Sequence, residues 1–176
     1  MVSYPIGFRV AQAIGFTGAA WLSGNIAALS MNCVPGLIAS RREDLAPPLL
    51  VVKQWRKVFE AGKAQNPPIA ALTGAAFLYL AWSVRVGAPL FQRAAYSRTG
   101  LYVAAATLTF SIVPYTFLTM STTNNELLKM ERLSTDLSSH DTKESAKLLD
   151  KWVTLNGIRS LLPLAGGLMG MVAAFI

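Results

Sequence analysis

The chain has 176 residues, of which 53% are hydrophobic and only 14% charged, whereas soluble domains carry about a quarter charged residues. The net charge of +7 does not point to nucleic acid, because Lys and Arg sit among Asp and Glu between long apolar runs and form no basic stripe with interleaved aromatics. A membrane surface matches the excess better, and the single cysteine, Cys33, excludes an intrachain disulfide.

The first apolar run covers residues 10–30. It is longer than the apolar core of a signal peptide and further runs follow it, so it reads as a first membrane span. Gly15, Gly18, Ala19 and Ala20 give it a surface that lets helix backbones approach closely in lipid. Asn25 and Asn32 stand seven apart, a spacing that predicts one helix face. The connection over 31–68 contains Pro47-Pro48 followed by Leu49, Val52, Trp55, Val58 and Phe59, with Lys53, Gln54, Arg56, Lys57 and Glu60 between them. That pattern predicts an amphipathic helix that starts at the prolines and ends near Gly62. It could lie on the membrane surface, cap the bundle or pack on neighbouring loops.

The second run, 69–84, is the shortest; it holds Gly74, Ala75 and Ala76, with Tyr79 and Ser83 as polar groups. A short connection with Arg93 and Arg98 leads to the third run, 101–119, which carries Tyr102, Thr109 and Tyr115. Thr122, Thr123, Asn124 and Asn125 follow it, as a helix cap or a polar lip. In the polar connection over 121–151, residues 138–141 read as a turn, with Asp141 or Thr142 as the cap of a helix that begins near Thr142 and continues into the fourth run, 157–176. Gly166 and Gly170 stand there at GxxxG spacing, which supports a packed bundle and by itself marks no dimer interface; a homo-oligomer is left open.

Together these elements predict an all-α protein: one integral membrane domain over 1–176, built as a four-helix transmembrane bundle. An amphipathic helix lies in its first connection and a polar helical connection precedes its last span. The first and third connections hold eleven Lys or Arg and the second, with Arg85, holds three. The positive-inside rule then puts both chain ends on the non-cytosolic side.

The stretch KWVTLNGIRSLLP (151–163) is the most informative for chemistry. Trp152, Asn156 and Arg159 fall at helical spacing along one stripe, and Arg159 is the only charge within the fourth run. An ionisable group at membrane depth normally faces the bundle interior or a wet cavity. Trp and Arg are also ordinary headgroup anchors, so both readings stand at this point. His140 is the only histidine; it is a solvated loop residue or, with a side chain that titrates near neutrality, a proton-transfer group. One His and one Cys cannot build the usual zinc sites. No apolar run contains Glu-x-x-His, and there is no GxGxxG or P-loop. An enzyme built on this sequence is expected to work without a metal or an organic cofactor.

Several features coincide with one family. Trp55, Phe59, Gly62 and Pro67-Pro68 precede the second span; TTNNELL (122–128) closes the third; Trp152, Asn156 and Arg159 open the last. Over nearly its whole length the chain resembles the anthrone oxygenases, small four-span membrane proteins of polyketide pathways. The resemblance implies cofactor-free oxidation of an anthrone to an anthraquinone with O2. It implies a greasy aromatic substrate that partitions into lipid, with the endoplasmic reticulum or another endomembrane as the location in a eukaryote. In that reading Arg159 stabilises the anthrolate, Asn156 bonds the carbonyl or a peri hydroxyl, Trp152 walls the ring system and His140 is the candidate base. Asn25, Asn124 and Tyr79 line the pocket. The rivals are a membrane protein that binds a lipid or small hydrophobic ligand without reaction, and a structural or assembly protein.

Overall fold

The computed structural model describes residues 4–92, 97–133 and 137–176, and among them there is no β-strand. The helices are α1 (Ile6–Ala28), α2 (Val34–Glu43), α3 (Pro48–Ser83), α4 (Arg98–Phe110), α5 (Ile112–Tyr115), α6 (Ser121–Glu131) and α7 (Ser139–Phe175). Two five-residue π-turns, Leu29–Cys33 and Thr116–Met120, join α1 to α2 and α5 to α6. The stretches Ile6–Glu43, Arg98–Glu131 and Ser139–Phe175 are each long and apolar enough to cross a membrane. The expectations for Arg93, which lies between α3 and α4, fall outside the described residues.

Three boundaries differ from the sequence reading. The first helical stretch does not stop near Ser30; it runs 38 residues, to Glu43. Pro35 cannot donate to the carbonyl four residues back, and its ring crowds that carbonyl. The π-turn widens the helix just before it, with the Val34 N–H bonding Leu29 O, five residues back. This extra residue rotates the rest of the helix about its axis, so Asn25 is half-buried and Asn32 exposed instead of sharing a face.

The second difference is α3, which does not end near Gly62 but continues for 36 residues, with Pro67 and Pro68 inside it. Gly62, Asn66, Ala70 and Thr73 are buried at helical spacing while both prolines are exposed. The carbonyls that lose their donors therefore lie on the outer side, where the loss is tolerated. The third difference is at α7. Its cap is Ser138, whose hydroxyl accepts from the Asp141 N–H at 3.1 Å and donates to Asp141 Oδ2 at 2.7 Å. The Thr142 N–H bonds Ser138 O at 2.8 Å. The helix thus starts one turn before Thr142.

The chain divides into two compact units. In the first (described residues 4–24, 66–92, 97–113 and 160–176) the core is built from small residues around Phe8, Phe77, Leu80 and Tyr102. Gly166 and Gly170 are used inside the chain. A Cβ on Gly166 would come to 2.8 Å from Ala105 O, and one on Gly170 would meet the Phe77 ring. Arg98 is 4% exposed. Its Nε donates to Ala173 O at 3.0 Å, Nη1 to Gln92 Oε1 at 3.0 Å and Nη2 to Tyr4 Oη at 3.1 Å. This cation thus satisfies a carbonyl in the last turn of α7, where the helix dipole favours positive charge.

The second unit (described residues 25–65, 114–133 and 137–159) has a different core: Val34, Val51, Val52, Trp55, Met120, Leu127, Leu149 and Trp152. Arg56 pairs with Glu131 at 2.8 Å and ties α3 to α6. All eight Asp and Glu residues among the described residues fall within this unit.

Candidate functional site

Along α7 the buried positions Ser145, Leu149, Trp152, Asn156 and Ser160 repeat at three- and four-residue intervals, the spacing of one helix face. The Trp-Asn-Arg stripe therefore turns into the protein: Trp152 is 1% exposed and Asn156 0%, with Arg159 half-buried. Headgroup anchors would point outward, so the anchoring reading does not hold for Trp152.

Each side chain of the stripe is held by another segment of the second unit. Trp152 Nε1 donates to Asn124 Oδ1 at 3.0 Å. Asn124 is buried inside α6, so residues 122–125 neither cap a helix nor form a lip. The Trp152 ring packs edge-on against Trp55, with centroids 6.0 Å apart at 87°, and Trp55 stacks on Phe59 at 5.2 Å and 16°. Such an edge-to-face pair is a favoured aromatic geometry.

Asn156 Nδ2 donates to Ile26 O at 2.9 Å and to Ser30 Oγ at 2.8 Å. A backbone carbonyl can only accept, so the amide cannot be flipped, and its oxygen is the side left over. Arg159 Nη1 donates to Thr116 Oγ1 at 2.8 Å. Ser30 and Thr116 lie in the two π-turns, features that recur at functional sites in helices. Next to Thr116, the Tyr115 hydroxyl donates to Leu155 O at 3.3 Å.

Two polar atoms of the stripe, Asn156 Oδ1 and Arg159 Nε, are buried with no hydrogen-bond partner among the described residues, as is Trp55 Nε1 in the same unit. Buried polar groups are almost always paired, so an acceptor and a cationic donor left open three residues apart make this face the candidate ligand site. Among the described residues no carboxylate pairs with Arg159. A guanidinium and an amide oxygen on one helix face are groups suited to pair with an oxygen-bearing ligand and to stabilise negative charge on it. Among the described residues no cluster of three or more His, Cys, Asp or Glu forms that could hold a metal ion.

Of the residues expected at the site, Trp152, Asn156, Arg159 and Asn124 are thus found together in one unit. Asn25 is half-buried and immediately precedes Ile26, whose carbonyl holds Asn156. His140 is not brought to this group. Its side chain is 88% exposed, with Nδ1 3.6 Å from Asp141 Oδ1, and it lies nineteen residues from Arg159 on α7, about 28 Å along the axis. Tyr79 belongs to the first unit and is 44% exposed. Ser30 and Thr116 were not among the expected residues; a Pro a few residues from each, Pro35 and Pro114, was the only local sign of a distorted helix. The second unit also has a partly open depression of about 200 Å³ lined by Ile38, Arg41, Arg42, Ala146 and Leu149, none of them an expected site residue.

A sequence profile described as anthrone oxygenase matches residues 55–169, well over half of the chain. The chain is 37% identical to the anthrone oxygenase encC of Aspergillus fumigatus, over 92% of this chain and 90% of that protein. It is 34% identical to a noranthrone monooxygenase of Aspergillus flavus, over 86% and 67%. It is 31% identical to an anthrone oxygenase of Claviceps purpurea, over 94% and 87%. No solved structure matches the chain. On the profile and these relatives together, the chain belongs to the anthrone oxygenase family.

Proposed function

We propose that this protein is an oxygenase that converts an anthrone to the corresponding anthraquinone with O2, without a metal or organic cofactor. The reaction consumes one anthrone and one O2 and yields one quinone and one water. The C10 proton leaves first, because the anion that results is aromatic and places its charge on the C9 oxygen. That electron-rich anion passes one electron to O2. The carbon radical and superoxide then join at C10, the peroxide takes up a proton, and loss of water with the second C10 hydrogen gives the quinone. The protein has three tasks: to hold the plane, to favour the anion and to keep the radical pair together.

The single observation that carries this reading is the inward stripe of α7, where Arg159 Nε and Asn156 Oδ1, without partners among the described residues, follow the buried Trp152 at helical spacing. Arg159 stabilises the C9 oxyanion, Asn156 accepts from a hydroxyl of the substrate, and Trp152 with Trp55 walls the rings. The C10 proton of the anthrone, made more acidic by this stabilisation, passes to solvent base, since His140 is exposed and far along α7 from Arg159. We also read α3 as a fourth membrane crossing beside the three helices already long and apolar enough. The chain is then a multi-pass protein of one integral membrane domain, in an endomembrane if the source is eukaryotic, and its greasy substrate arrives through lipid.

The test is quinone formation from emodin anthrone by purified protein in lipid nanodiscs, after chelation and above the spontaneous rate. Arg159→Ala is expected to lower kcat/KM by about 100-fold or more, the scale of a lost oxyanion donor. Arg159→Lys keeps the charge but not the fixed Nε donor and should recover only part of the loss. Turnover near the wild-type level by both variants overturns the role of Arg159.

A further inference from the structure

We propose that Tyr115 is a second hydrogen-bond donor to the substrate oxyanion, acting with Arg159 as a two-donor site on one oxygen. The proposal rests on the oxygenase reading above and adds a residue to it.

Tyr115 and Thr116 are consecutive, at the end of α5 and the start of the second π-turn, and both reach the same turn of α7. Thr116 takes Arg159 Nη1, and the Tyr115 hydroxyl lies 3.3 Å from Leu155 O. In a helix the carbonyl of residue 155 is the acceptor for the backbone N–H of residue 159. The phenol oxygen therefore stands at the level of the backbone that carries Arg159.

The bond to Leu155 is a weak one. An O–H···O bond is usually about 2.7–2.8 Å long, and the carbonyl has the helix N–H in addition. The hydroxyl therefore loses little by turning to a ligand. The C9 oxygen of an anthrone has two lone pairs to offer, as any ketone oxygen does. When C10 is deprotonated, charge flows onto that oxygen, and two fixed donors there favour the anion over the ketone. Arg159 Nε supplies one and the Tyr115 O–H the other, and the phenol keeps its proton throughout. Phe117 and Leu118, the next residues of the same π-turn, are 71% and 82% exposed. The turn that holds both donors in place thus also presents an apolar face along which a greasy planar molecule can approach.

The test is Tyr115→Phe, which removes only the hydroxyl, measured in nanodiscs with emodin anthrone across pH. Both kcat and kcat/KM should fall about 10- to 100-fold with KM within twofold, as expected when an interaction matters more in the transition state than in the ground state. With less stabilisation of the anion, the rate should reach its plateau at a pH higher by about one unit. A purely structural role would not move that profile. Replacement of Tyr115 by 3-fluorotyrosine, a stronger donor of nearly the same size, should shift the profile the opposite way. This gives a second reading if Tyr115→Phe fails to fold. A Phe variant within threefold of wild type and an unmoved profile, or a fluorotyrosine variant with an unmoved profile, overturns the donor role and leaves the oxygenase reading intact. A wild-type protein that turns over no anthrone overturns both.

Discussion

Asn156 uses both of its amide hydrogens on Ile26 O and Ser30 Oγ and keeps its oxygen free, in a place where it is 0% exposed. This residue shows best why a polar amide stands inside an apolar helix: half of it holds neighbouring backbone, and half is kept for something else. Asn156→Asp leaves an oxygen but removes both donors, and it sets a carboxylate three residues from Arg159. That carboxylate can take the open Nε from within and fill the site. We expect kcat/KM to drop at least about tenfold, with a stability loss of about 1–3 kcal/mol because a carboxylate oxygen would face the Ile26 carbonyl that Asn156 Nδ2 now bonds; wild-type kcat/KM in this variant would contradict an open site. His140→Ala should change kcat/KM by less than about twofold, because an exposed group about 28 Å along α7 cannot reach a C10 proton held at Arg159. A hundredfold loss would restore His140 as the base. The Trp-Asn-Arg stripe was legible in the sequence because three- and four-residue spacing is what a helix face requires. Its partners Ser30 and Thr116 were not, since each lies in a π-turn, where an extra residue breaks that period.

At the scale of elements, the apolar runs made an all-helical protein legible, but not where each helix ends. A Gly in a helix costs only about 1 kcal/mol, so Gly62 did not stop α3 once its inner stripe was continuous. The start of α7 shows the same limit. Asp141 was read as a cap; it is instead the third residue after the cap, bonded both ways to Ser138. The Ser138 hydroxyl, with smaller help from His140, holds the Asp141 carboxyl below the usual carboxylate range. A carboxyl lowered in the folded state stabilises that state fully above the unfolded value of about 3.9 and stops doing so as pH falls through the folded value. Ser138→Ala should therefore lower the melting temperature at pH 7. The gap should narrow in acid, as wild type loses the carboxylate part and keeps only the backbone N–H bond to the Ser138 hydroxyl. Melting curves at pH 7 and in the range below about pH 4 decide it; a gap that stays the same or widens in acid shows that the Asp141 carboxylate contributes nothing through Ser138.

For the whole molecule the open question is how many times the chain crosses. Each of the four helical stretches is 34 to 38 residues long, about 51–57 Å at 1.5 Å per residue, against roughly 30 Å of hydrocarbon. Every one of them is long enough, and α3 is set apart by the shortness of its apolar run. Lys53, Arg56, Lys57, Glu60 and Lys63 occupy its first half, and Asn66, Pro67 and Pro68 stand just before the second. The second half, from Ile69 to Ser83, has no charge at all. A four-crossing chain places the linker before α3 and the turn after it on opposite membrane faces; a three-crossing chain in which α3 stays on one side places them together. Leu45 is 84% exposed in the first and Val86 82% in the second, so each can carry a reporter cysteine once Cys33 is replaced by serine. In sealed microsomes, Leu45→Cys should react with a membrane-impermeant maleimide from the cytosolic face, where the Lys- and Arg-rich connections are expected. Val86→Cys should react only after the vesicles are opened. Labelling of both cysteines from one face would remove α3 from the membrane and reduce the crossings to three.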